Sequence, residues 1–377
     1  MNQPPPVDMT LQRSSRDRDS VQRALTDWLR EELPHGADPE VVLHAGVDSN
    51  GMSSETVVLD VVTTEGGSRV TRPYVARIAP APEDIPVFAE YRLRDQYDAM
   101  RLARAATDVP IPAVGLIDES GSVLGTPFFL MERVEGVVPP DVLPYTFGDN
   151  WLFDATPAEQ RALQDASVGV LARLHSIEDV ADTFAFLDPA MSGHEGHRVL
   201  ERNLAKTSAW YSFAGVRSPL IERGLAWLTA NVPHHAGVAE PVLVWGDARI
   251  GNVMYRDFAP VAVLDWEMAT LGPRELDVAW MVFAHAVFEE IAHVLELPGM
   301  PDFMRASDVV ATYQELTGVE LGDLTWFQVY AAVIWGVVFL RTSARQIHFG
   351  EIERPADPEA VFHHRPLFER LLDEVGA

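Results

Sequence analysis

The chain has 377 residues, 47% apolar and 23% charged, a balance typical of globular proteins and a length sufficient for two lobes around a cleft. Its 56 acidic residues outnumber 29 basic ones, and the formal charge of −27 repels phosphate backbones, so no nucleic-acid partner is expected. The absence of cysteine excludes disulfides, thiolate zinc sites and cysteine nucleophiles, and it suits a cytoplasmic setting.

Residues 1–19 are rich in Pro, Ser, Arg and Asp and read as a disordered tail, without the apolar core a signal peptide requires. Val21, Leu25, Trp28 and Leu29 then recur on one face of an amphipathic helix. From Val41 the texture turns to strands. Glu55–Thr64 is rich in β-branched residues, Glu65-Gly66-Gly67-Ser68 supplies a turn, and Arg69–Ile78 returns. A helix is expected from about Val87 to Ala106. Val109-Pro110-Ile111-Pro112 is extended, because proline disfavours helix at the residue before it. Short strands follow around Val114–Asp118 and Val123–Val134.

Beyond Glu135 the pattern is mostly helical. Thr156-Pro157-Ala158-Glu159 combines a cap, a first-turn proline and a capping-box glutamate, and predicts a helix running to about His175. Further helices fit 219–230, 275–296, 305–316 and 324–346, and two short strands flank a loop between Pro241 and Ala269. The apolar stretch Trp326–Leu340 has 15 residues and is interrupted by Gln328. A membrane span takes roughly 18 to 20, so the stretch reads as a buried helix and no membrane association is expected. The sum is an α+β chain with a small antiparallel-sheet lobe and a larger helical lobe, joined near Glu132–Glu135.

The segment most informative about chemistry is Val242-Leu243-Val244-Trp245-Gly246-Asp247-Ala248-Arg249-Ile250-Gly251-Asn252. An apolar run delivers an Asp into a glycine-flanked loop, and an Asn follows five residues later. A second apolar run, Val261–Trp266, carries Asp265. Carboxylates beside apolar strands are costly to desolvate and persist where metal or hydrogen bonds compensate. Phosphoryl transfer requires an oriented base, oxygen ligands for Mg²⁺ and cations along the phosphates; this Asp, Asn and Asp supply the first two.

These residues resemble the aminoglycoside phosphotransferase-like family, whose signature is His-Gly-Asp-x-x-x-x-Asn followed by a metal-binding Asp. Further matching pieces, in order, are Asn50–Thr56, Tyr74–Arg77, Asp108–Pro112, Leu124–Phe128, Leu171–His175 and Leu264–Glu267. The resemblance covers roughly residues 40–345 and implies a bilobal protein-kinase-like fold. It divides the chain into the tail 1–19, a nucleotide-binding lobe 20–134, and a lobe 135–377 with the catalytic loop, metal site and acceptor pocket.

By that resemblance ATP and Mg²⁺ are the cofactors and a small hydroxylated molecule is the acceptor, with an aminoglycoside as the family default. A hydroxyacyl-CoA thioester, another metabolite, or a catalytically silent nucleotide-binding role are the alternatives. Asp247 is implied as the base, with Asn252 and Asp265 as Mg²⁺ ligands. Arg77 is the cation on the α- and β-phosphates, and Ser53 and Ser54 lie on the loop that covers them. Met131, Glu132 and Val134 form the backbone segment that receives adenine. Arg249, two residues past Asp247, resembles the position of a protein-kinase lysine and is a candidate transition-state cation, or else a partner in a surface ion pair.

Two departures from the family pattern stand out. Trp245 replaces the motif histidine, and Gln96 occupies the position of a helix glutamate that would pair with Arg77, with Glu90 the alternative on the same helix. Asp277 is expected to brace the loop and His175 to be a structural hydrogen-bonder. His194, His197, His234, His235, His363 and His364 are assigned to no metal, the last two being placed in polar loops. Residues 257–300 carry eight acids and one Arg, a net of −7 that mildly favours a cationic acceptor.

Overall fold

The computed structural model describes residues 16–44, 54–141, 144–188, 196–233 and 241–377. Ser53, His194, His234 and His235, and all but the last residue of the Gly46–Ser54 loop, lie outside them. Helix α1 (Arg18–Glu32) is capped by Asp17, whose side chain accepts from Ser20 N, so it begins two residues inside the expected tail. Val21, Leu25, Trp28 and Leu29 are its buried face.

Five antiparallel strands follow in the order β1-β2-β3-β5-β4: β1 (Glu40–Leu43), β2 (Glu55–Glu65), β3 (Ser68–Ile78), β4 (Val114–Asp118) and β5 (Phe128–Glu132). Gly66 and Gly67 both have positive φ, 55° and 83°, the two-residue turn whose twist matches a hairpin. Side chains alternate across a strand. Ala76 and Ile78 of β3, with Phe128 and Leu130 of β5, pack under α1 in one apolar core. Arg77 and its cross-strand neighbour Phe129 therefore face the other way, toward the second lobe. The strand expected from Val123 starts only at Phe128, because Gly125 (φ 81°) and Pro127 break the ladder before it.

Helix α2 spans Leu93–Ala106, six residues shorter than expected at its start. The preceding segment is held in a non-helical path by the other lobe. Trp210 Nε1 donates to Val87 O at 2.8 Å, Phe88 stacks on Trp210 at 4.6 Å, and Arg341 Nε donates to Pro86 O at 3.0 Å.

The second lobe contains α3 (Pro157–Leu174), α4 (Val180–Thr183), α5 (Gly196–Ala214), α6 (Pro219–Ala230), α7 (Glu275–Val294), α8 (Ala306–Thr317), α9 (Thr325–His348) and α10 (Arg365–Glu374). The capping box at Thr156 and Glu159 is formed as expected. Two small antiparallel pairs lie among the helices: β6 (Val242–Val244) with β9 (Thr270–Gly272), and β7 (Val253–Arg256) with β8 (Ala259–Val263). α9 is long and apolar enough to cross a membrane by length and composition, but most of that window is buried against α6, α7 and α10. His364 is buried in an aromatic nest with Phe283, Phe339 and Phe368 rather than in a polar loop. Burial holds its imidazole far below the ordinary value, at about 3. One continuous core joins α2 and Phe129 to this lobe, so the outward face of α2 is the junction between lobes.

Candidate active site

The loop after β6 is fixed by its backbone before any side chain acts. Asp277, fully buried at the start of α7, accepts from Trp245 N at 2.7 Å and Gly246 N at 2.8 Å. His175 Nε2 sits 3.0 Å from the same carboxylate, and its Nδ1 is 2.8 Å from Tyr313 OH. Asp277 is thus the brace and His175 a structural bonder, as expected. Gly246 has φ 93°, and a Cβ there would lie 2.2 Å from Met268 O, so only glycine makes this turn.

Trp245 is fully buried, and its indole Nε1 donates to Leu264 O at 2.9 Å. It fills space and pins the residue immediately before Asp265. Leu264 N also donates to Asn252 O at 2.8 Å. The loop after β6 and the β8 end are thereby brought together, and Asn252 and Asp265 with them.

Asp247 is held at three sides. Trp280 Nε1 donates to Oδ1 at 2.8 Å, Asn252 Nδ2 donates to Oδ2 at 2.6 Å, and Arg249 Nε lies 3.2 Å from both oxygens. Arg249 is largely withdrawn from solvent, its side chain 14% exposed, and Nη1 makes an ion pair with Asp141 Oδ2.

Arg77 reaches across the cleft from β3. Its Nη2 pairs with Asp265 Oδ1 at 2.5 Å and with Glu267 Oε2 at 3.0 Å, and Ser54 Oγ donates to Glu267 Oε2 at 3.2 Å. Neither candidate expected on the helix, Glu90 or Gln96, pairs with Arg77, so among the described residues the helix ion pair is absent. Glu90 is exposed and precedes α2, and Gln96 is buried on α2 without pairing to Arg77. The carboxylates come from the other lobe instead. Burial pulls the Arg77 guanidinium down, but Asp265 and Glu267 together outweigh it, and its pKa is raised. Burial is also the main cause that raises the Asp265 carboxyl; Arg77 opposes it and the charge of Asp247 adds to it.

Met131, Glu132 and Val134 lie where β5 leaves the sheet. Glu132 N donates to Ala113 O at 2.8 Å, Arg133 N to Pro73 O, and the isolated bridge Val137–Tyr255 ties the outgoing chain to β7. The segment is thus a strap along the cleft edge, held by its backbone and by the side chains of Glu132, which accepts from Ala113 N at 3.2 Å, and Arg133, which pairs with Asp60.

Sequence reading gave no role to Asp141, Glu267 or Trp280. Asp141 and Arg249 are 108 residues apart, and Arg77 and Glu267 are 190 apart, so no local spacing announces either pair. The acidic excess of 257–300 also has an explanation. Six of its eight acids are engaged inside the fold: Asp265 and Glu267 on Arg77, Asp277 on the loop, Glu275 with Gly322 N, Glu289 with Met300 N, and Glu290 on Arg370. They are not a surface offered to a cation, and that argument for a cationic acceptor falls.

A family model described as the phosphotransferase enzyme family matches residues 49–299. The chain belongs to this family. A crystal structure from Ralstonia eutropha JMP134, of a protein assigned by name to the aminoglycoside phosphotransferases, superposes with a TM-score of 0.63. That match covers 93% of this chain and 97% of the other at 22% identity, and the shared fold is the bilobal, protein-kinase-like one. Among curated proteins, acyl-CoA dehydrogenase family member 11 of Rattus norvegicus is 25% identical over 314 residues, 81% of this chain and 36% of its own. Family member 10 of Mus musculus is 32% identical over 185 residues, 48% of this chain and 16% of its own. The phosphotransferase chain thus spans at most about a third of the length of either relative.

Proposed function

We propose that the chain transfers the γ-phosphate of ATP to a hydroxyl of a small molecule, with Asp247 as the base. The observation that carries this reading is the carboxylate of Asp247, oriented by Trp280, Asn252 and Arg249 beside Asp265, with Arg77 reaching into the same cleft. Asp247 accepts the acceptor's proton and aims its oxygen in line with the bond from the γ-phosphorus to the bridging oxygen. The new oxygen–phosphorus bond forms as that bond breaks, and ADP leaves.

The donor set suits Mg²⁺. Asn252 turns its amide nitrogen to Asp247, which leaves its oxygen for a cation, and Asp265 adds a carboxylate. Four carboxylates, Asp141, Asp247, Asp265 and Glu267, face two guanidiniums, Arg77 and Arg249. Among the described residues no group of three or more His, Asp or Glu side chains is arranged to hold a metal alone. Asn252 and Asp265 would therefore hold Mg²⁺ together with ATP phosphates, where it would offset charge on the transferring group. Arg77 would then turn from Asp265 to the α- and β-phosphates, with Glu267 still beside it. Ser53 and Ser54 cover the phosphates in this reading, and the backbone of Met131, Glu132 and Val134 receives adenine.

For the acceptor, the relatives named as acyl-CoA dehydrogenases favour a hydroxyacyl thioester over the aminoglycoside default. Behind Asp247 the packing is aromatic: Trp280 lies 5.4 Å from Trp335, which also meets Phe283 at 5.8 Å. A silent nucleotide-binding role draws less support, since Trp245 and Gln96 disturb none of the contacts around Asp247 and Arg77. ADP release from Mg·ATP, measured across hydroxyacyl-CoA thioesters and aminoglycosides, tests the reading. Stimulation by a hydroxylated thioester supports it, stimulation by aminoglycosides alone reverses the choice of acceptor, and stimulation by none of them counts against transfer.

A further inference from the structure

Asp141 lies on the strap that leaves β5 and enters the helical lobe. The strap is anchored just before it: Val137 exchanges backbone bonds of 2.9 and 2.7 Å with Tyr255, and Trp151 Nε1 donates to Val138 O at 3.2 Å. Gly136 is pressed so close to Tyr255 O and Val261 that a Cβ would sit about 3 Å from both. Asp141 is thus delivered to the catalytic loop by a fixed piece of chain.

Its carboxylate meets Arg249 over Gly251. A Cβ at Gly251 would lie 2.5 Å from Asp141 Oδ1 and 2.6 Å from Arg249 Nη1, so the glycine makes the room that lets the pair form. Arg249 is shared unequally. Its contact to Asp141 is short, whereas its two contacts to Asp247 are 3.2 Å, longer than those made by Trp280 and Asn252. A guanidinium is a rigid fork, so a strong hold at Nη1 fixes where Nε stands.

We propose that Asp141 is a positioning residue: it draws Arg249 to one side, keeping the cation beside Asp247 without letting it close over the carboxylate. The idea rests on Asp247 being the base. A buried ion pair is a weak source of net stability, and burial raises the Asp141 carboxyl with Arg249 opposing, so stability alone gives little reason for the pair. With Asp141 neutral, Asp247 is the one carboxylate still bonded to Arg249, with Asp265 acting on it only through its charge. Arg249 then swings onto the base, competing with Trp280 and with the acceptor's proton.

Two readouts test this in Asp141→Asn, which keeps the side chain's shape. The first needs no turnover. Trp280 Nε1–H donates to Asp247 Oδ1, so its indole resonance reports where the base stands; it is assigned among the nine tryptophans with Trp280→Phe. Asp141→Asn and Arg249→Ala should both move that resonance. If it stays at the parental position in Asp141→Asn, the proposal is wrong. The second is Mg·ATP hydrolysis with water as acceptor. Asp141→Asn should lose about 10- to 100-fold in kcat, the scale of one charge-assisted bond, with KM for ATP within about threefold. Combining it with Arg249→Ala should cost no more than Arg249→Ala alone. Parental turnover in Asp141→Asn, or losses that multiply in the double variant, would overturn the positioning role. A parent that turns over no ATP with any acceptor refutes the phosphotransfer reading instead, and the indole resonance still decides the clamp.

Discussion

The catalytic loop and the cleft around Arg77 are built on different principles. In the loop, residues 245–252, the key groups lie within a few positions of one another. β6 delivers them, Gly246 turns them, and Asn252 bonds Asp247 five residues back. Around Arg77 the partners come from the far lobe: Asp265 and Glu267 answer a cation on β3, and Arg341 and Trp210 hold the chain that leads into α2. The first region is local and the second is tertiary. A sequence speaks clearly about the first and is nearly silent about the second.

Four substitutions sharpen that contrast, and the largest effect belongs to the local region. Asp247→Asn keeps the shape but removes basicity, and turnover on the acceptor should fall by about 10²- to 10⁴-fold, with ATP affinity by calorimetry nearly unchanged. Parental turnover in a step limited by chemistry would remove Asp247 as base. At the junction of the two regions, Asp265→Ala should weaken Mg-dependent ATP binding by about 10- to 100-fold while the fold survives. Undiminished Mg·ATP affinity would take Asp265 out of the site.

Smaller effects are expected where the sequence departs from its family. Trp245→His should leave ATP affinity within about threefold and alter turnover modestly, because the indole acts through packing and one bond to Leu264 O. A large gain in turnover would show that the tryptophan cripples the enzyme. The smallest concerns Glu90, one of the two candidates for a helix partner of Arg77. Glu90→Ala should shift ATP affinity by less than about twofold, in line with an exposed side chain away from Arg77. A tenfold loss would restore Glu90 as the partner of the cation and undo the contrast.

Much of the fold was legible in the residues. The α1 stripe, the β2–β3 hairpin glycines, the Thr156 capping box and the boundaries of α6 are local signals, and the structure matches them closely. Three helices were not foreseen, the single turn of α4 among them. α5 buries Val199, Leu200, Leu204 and Thr207 on one face, and α10 is a short helix opened by Arg365-Pro366 that completes the packing of α9. The start of α2, expected at about Val87, was misjudged for a tertiary reason, since the carbonyls of Asp84, Pro86 and Val87 are claimed by Arg345, Arg341 and Trp210. The same logic applies in the site. Asp247, Asn252 and Asp265 stand out in the sequence by their spacing, and the fold brings them together, whereas Asp141 and Glu267 become visible only when distant segments meet.

The central claim is that this cleft moves phosphate rather than merely holding nucleotide. It is tested most directly by following the γ-phosphate itself, using ATP labelled there, Mg²⁺, the parent chain and a pool of hydroxylated thioesters and aminoglycosides. The account predicts that label appears in an ester on an acceptor hydroxyl, in step with ADP. Label that stays in ATP, or appears only as inorganic phosphate at every acceptor tried, while the chain binds Mg·ATP, would contradict it.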